Sequence, residues 1–161
     1  MNPPSDPYAL CLTWLALREL TELQLRRRLR ARHVTDETIE EVVGRLKRNG
    51  ALDDRRAAAA IARTAVVVKR HGRQRVTRQL ETLGIDRGLA RRVVQEVFAE
   101  VDEGELMQRA LARRLGRSAS VVKSPADYRR LYGYLVRQGF EPSAVTALLR
   151  ARSRPAARPE D

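Results

Sequence analysis

The 161 residues include 32 lysines and arginines against 20 acids, a formal net charge of +12 and a pI near 11.1. That balance implies a polyanionic surface among the partners, nucleic acid being the commonest case. Hydrophobic residues are 43% of the chain and aromatics only 4%, so the core is one of Leu, Val, Ile and Ala. The abundance of Ala, Leu, Arg and Glu points to an all-α protein. Cys11 stands alone, which excludes an intrachain disulfide.

Taken in chain order, MNPPSDP lacks a basic region followed by an apolar stretch and a small-residue cleavage site, so no secretory signal is expected. Residues 1–7 read as a flexible N-terminus. No run approaches the roughly 18 apolar residues that cross a bilayer, and a cytoplasmic location is expected. Residues 8–18 (YALCLTWLALR) form a first helix. Leu25 and Leu29 then share one face of a second, and Ile39, Val42, Val43 and Leu46 stripe a third at i, i+3, i+4, i+7. Between them His33-Val34, a turn-tolerant residue before an apolar one, marks a helix end, and Thr35 or Asp36 caps the next start.

The same pattern returns twice. A helix over 53–70 precedes a pair carrying Val76 and Leu80, then Gly84-Ile85, a cap at Asp86, and Val93, Val94 and Val97. A helix over 103–116 precedes a loop-like stretch, 116–125, and a helix start at Ser124-Pro125-x-Asp127. Leu131, Leu135, Gly139-Phe140, Glu141-Pro142, Val145, Leu148 and Leu149 complete the third copy. A shift of 51 lays Leu29 on Leu80, and a further 55 lays Leu80 on Leu135. The expected architecture is three tandem three-helix, helix-turn-helix-like repeats over 8–50, 51–101 and 102–152, in an elongated arrangement. Residues 153–161 are expected to be a disordered tail. One such module buries too little alone, so neighbours are expected to stack.

Asp53 and Asp54, adjacent acids in a basic chain, fall where the second leading helix begins. An acid there accepts free backbone N–H groups and meets the positive end of the helix dipole. No third carboxylate or imidazole ligand accompanies them at metal-binding spacing, so helix capping is favoured over a metal or nuclease site. Gly84 and Gly139 are read as structural in the same way.

The run GALDD at 50–54, Lys69 with Gly72, RVTRQLETLGID and LALRELTELQLRRRLRARHV together resemble the RecX family of regulators, over roughly residues 8–151. The resemblance implies an all-helical protein of three tandem three-helix units. It also implies binding to the RecA recombinase filament, with its single-stranded DNA, and inhibition of ATP turnover, strand exchange and repressor cleavage. Ala57 stands where the family often has Phe, Arg32-His33 where Lys-Gly is common, and the third unit is trimmed.

No catalytic constellation accompanies this. His33 and His71 sit near no nucleophile pattern, and neither GxxxxGK[ST] nor GxGxxG occurs. No enzymatic activity, cofactor or metal is expected, and a monomer is. The candidate partner- or DNA-facing residues are Arg26, Arg27, Arg30, Lys69, Arg73, Arg75, Arg78, Arg129 and Arg130, which stacking could merge into one basic ridge. Arg28 and Arg32 crowd the same helix as the first three. The alternative is a sequence-tolerant, nucleoid-type DNA-binding protein acting independently of RecA. Trp14 is read as packing rather than base stacking.

Overall fold

The computed structural model describes residues 6–116, 122 and 124–153. Residues 1–5 of the expected N-terminal segment, 117–121 and 123 of the expected linker, and 154–161 of the expected tail lie outside the described residues. Those described form nine helices and no strand, with one isolated bridge between Val122 and Ser153. The helices are α1 (Pro7–Leu17), α2 (Glu22–Arg30), α3 (Asp36–Arg48), α4 (Asp54–Val67), α5 (Arg73–Thr82), α6 (Arg87–Phe98), α7 (Glu103–Leu115), α8 (Pro125–Arg137) and α9 (Pro142–Arg152). By compactness the chain divides into two units, Met1–Thr64 with Thr77–Val97 and Ala65–Val76 with Phe98–Asp161, the division falling within α4, within α5 and at the last residue of α6.

In the first unit α1 and α2 pack on α3. Cys11, Leu25, Leu29, Ile39, Val43 and Leu46 are buried there, each fully buried Leu contributing about 1.5–3 kcal/mol. Helix α2 starts where Thr21 and Gln24 form a capping box, satisfying two N–H groups that a helix start leaves unpaired. Thr35 caps α3 through the Thr38 N–H. In the second unit α7, α8 and α9 pack on one another around Leu111, Leu131, Leu135, Phe140, Val145 and Leu149. Ser124 caps α8 through the Asp127 N–H.

Three helix ends share one geometry. His33, Gly84 and Gly139 take φ of 59°, 86° and 93°. Each N–H returns three residues, to Arg30, Glu81 and Val136. The N–H of the next residue, Val34, Ile85 or Phe140, returns five, to Leu29, Leu80 or Leu135. This is the left-handed helix stop that glycine accepts freely and that costs a residue with a Cβ about 1 kcal/mol. Helix α4 ends at Val67, three residues short of the expected 70, because Arg70 turns left-handed at φ 57°. The Arg70 and His71 N–H groups then close on the Val66 and Ala65 carbonyls.

Candidate functional site

The two adjacent acids have different tasks. Asp53 Oδ1 accepts the N–H groups of Arg55 at 2.8 Å and Arg56 at 3.0 Å, capping α4. Arg56 turns back to donate to the Gly50 and Ala51 carbonyls and pairs with Glu19. Asp54 is half-buried and reaches α2, its Oδ1 accepting the Glu22 N–H at 2.7 Å. Burial raises the Asp54 carboxyl above its usual 3.8, an effect the Glu22 N–H opposes. Burial also pushes Glu22 up, but hydrogen bonds from Lys47 and Arg26 outweigh it and hold that carboxyl below 4.5.

These bonds belong to a joint that recurs. Thr21, ahead of α2, donates its hydroxyl to the Leu83 carbonyl at 2.7 Å in the turn between α5 and α6. Gly72, ahead of α5, donates its N–H to the Gln138 carbonyl at 2.8 Å in the turn between α8 and α9. The repeat shifts of 51 and 55 lay Thr21 on Gly72 and Leu83 on Gln138. The leading helices are tied in the same way. Glu22, first in α2, meets Asp54, first in α4, while Arg73, first in α5, meets Glu103, first in α7, at 2.6 Å. One joint lies wholly in each compact unit.

Joint and helix packing account for several of the candidate arginines. Arg26, largely buried, is held between Glu22 and Glu40. Arg30 pairs with Asp36, and Arg130 with Asp127. Arg73 pairs with Glu103 and lies over the Phe98 ring at 4.9 Å. Arg75 donates to the Arg137 carbonyl at 3.3 Å and to Gln138 Oε1 at 3.2 Å. Arg27, Lys69, Arg78 and Arg129 are exposed. Of the candidates, Arg26, Arg27 and Arg30 share α2, Arg73, Arg75 and Arg78 share α5, and Arg129 and Arg130 share α8.

A pair set aside in the sequence reading emerges here. The Arg28 and Arg32 guanidinium carbons stand 5.4 Å and 5.3 Å from the Trp14 ring centroid, lining with Ala31 and Trp14 a cleft of about 410 Å³. Trp14 itself packs half-buried against the first unit's core. The four-residue spacing of the two arginines was visible in the sequence. Their meeting with a residue of α1 was not. Cys11 is fully buried, and burial, with the nearby Asp6 charge, pushes its thiol to about 11, so it is a core residue rather than a nucleophile. Among the described residues no group of three or more His, Cys, Asp or Glu is placed to hold a metal. No described helix is long and apolar enough to cross a membrane.

Comparison with known proteins returns one consistent match. A family model described as RecX, first three-helix domain, matches residues 8–46. Proteins named regulatory protein RecX align along almost the whole chain. The one from Trichlorobacter lovleyi is 30% identical over 150 residues, 91% of this chain and 96% of its own. That from Streptomyces coelicolor is 31% identical over 157 residues, 92% of this chain and 80% of its own. The crystal structure of RecX from Lactobacillus salivarius is similar in fold, with a TM-score of 0.68 at 18% identity, over 90% of this chain and 93% of that one.

Proposed function

This chain belongs to the RecX family, and on that premise we propose that it is a negative regulator of the RecA recombinase. It binds the RecA–DNA filament and suppresses ATP hydrolysis, strand exchange and the coprotease activity toward the SOS repressor. It acts by binding, as a cytoplasmic monomer without cofactor or enzymatic activity of its own. The observation that carries the reading is the near end-to-end alignment with proteins named as regulators.

Physical features support it. A filament presents the same subunit surface repeatedly, so modules in series make several weak contacts that add through effective concentration. A net charge of +12 suits a target that carries nucleic acid. Arg27, Lys69, Arg78 and Arg129, all exposed, are the candidate contact residues. The deciding experiment is single-stranded-DNA-dependent ATP hydrolysis by the cognate recombinase, with this protein titrated in below stoichiometric amounts. Suppression at far less than one molecule per recombinase subunit supports the reading. Unchanged hydrolysis in excess protein at low salt removes it.

A further inference from the structure

The arginines of α2 and of the turn that follows it divide by their surroundings. Arg26 and Arg30 meet carboxylates from α2 and α3. Arg28 and Arg32 have no carboxylate partner among the described residues, and both instead stand over Trp14. A guanidinium held over an indole ring loses little further freedom on binding, and it keeps N–H donors with which to meet an oxyanion. One helical turn past Trp14 on the same helix, Leu17 is 81% exposed, an apolar side chain that the fold leaves uncovered.

We propose that Trp14, Arg28 and Arg32 form a contact site for single-stranded nucleic acid. The two guanidinium groups take backbone phosphates, and the exposed part of Trp14, with Leu17, receives an unstacked base. Planar cations on an aromatic shelf next to exposed apolar surface match a strand whose phosphates and base faces are both accessible. A duplex offers the phosphates but keeps its base faces stacked. This goes beyond the filament reading, since the contact requires no recombinase.

Trp14 is the only tryptophan in the chain, so its emission reports on the site directly. The full-length protein, without recombinase, is titrated with an oligothymidylate of about twenty nucleotides at several salt concentrations. The expected result is a saturable change in emission. In the double variant Arg28→Ala/Arg32→Ala, with native helicity, affinity falls roughly tenfold or more and the log K against log salt slope shallows by about 1.4, the value for two single-strand phosphate contacts. Leu17→Ser weakens binding and leaves that slope unchanged, as does Arg30→Ala. Unaltered emission, or an unaltered slope in the folded double variant, overturns the site. Equal or tighter binding of the matched duplex overturns the single-strand assignment. An equal response to inorganic phosphate at the same phosphate concentration reduces the site to a simple anion pocket, and an equal response to polyglutamate reassigns it to an acidic protein. In none of these cases is the recombinase assay affected.

Discussion

Asp54 accepts the backbone N–H of Glu22 at 2.7 Å, so an acid opening α4 ties down the first turn of α2. Asp54→Ala leaves that part-buried donor without its partner and is expected to cost about 1–2 kcal/mol. Asp54→Asn keeps a carbonyl acceptor and is expected to lose much less. Urea unfolding of the two variants beside the parent checks this, and equal losses would show that the bond adds nothing.

The two carboxyls at this joint give opposite pH dependence. Asp54 is raised above 3.8 by burial, so the folded state holds its proton more firmly than the unfolded chain does. Its contribution is full below 3.8 and is lost as pH rises through the folded value. Glu22 is held below 4.5, so its contribution is full above 4.5 and is lost as pH falls through the folded value. Stability measured against pH should therefore rise more steeply through the acid range in Asp54→Asn than in the parent, because the opposing group is gone. Parallel curves would contradict the assignment.

At Gly72, an added Cβ would lie 2.5 Å from the Gly139 carbonyl carbon and oxygen. Gly72→Ala forces the second joint open and should cost on the order of 1–3 kcal/mol. Gly50, by contrast, is left-handed, at φ 72°, and has nothing within 4 Å of an added Cβ. Gly50→Ala should cost only the conformational penalty, about 1 kcal/mol. Thermal melts of the pair separate close approach from backbone preference.

Arg75 and the exposed arginines should separate in the same way. Arg75→Glu loses the bonds to Arg137 and Gln138 and is expected to lower the melting temperature. Arg27→Glu with Arg129→Glu alters two exposed side chains. It is expected to leave the melt unchanged while weakening suppression of recombinase ATP hydrolysis. A folded Arg27/Arg129 variant of full potency would take those residues out of the interface.

The helices and their stops were legible because they depend on local side-chain pattern. Leu25 with Leu29, Leu80 and Leu135 on their own helices, and the pairs Gly84-Ile85 and Gly139-Phe140 carry period and turn in the residues themselves. The joints were not legible, because Gly72 and Gln138 meet through backbone N–H and carbonyl, groups every residue possesses. The sorting of the arginines was half visible. Glu22 lies four before Arg26 on one helix, a spacing that announces an ion pair. Glu40, however, comes from a different helix, and Trp14 reaches Arg28 and Arg32 from a third. Charge count alone therefore overstated what α2 has to offer a partner.

The recurring joint has a direction: the start of a helix seats a turn that comes later in the chain, Thr21 at Leu83 and Gly72 at Gln138. Like tongue-and-groove boarding, it can be shortened only by leaving a groove empty. A truncation that removes residues from 102 onward strips the Gly72 and Gln74 N–H groups of the Gln138 and Gly139 carbonyls they now hold, and it bares the apolar side chains around them. Such a fragment carries an unsatisfied socket that its own copies cannot fill, since they too lack the Gln138–Gly139 turn, and it is expected to be less stable than the whole chain. A cut ahead of α4 would strand Thr21 and Glu22 in the same way. Each compact unit keeps both sides of one joint and neither is a continuous stretch of sequence, so no single cut between Glu22 and Gln138 leaves both joints closed.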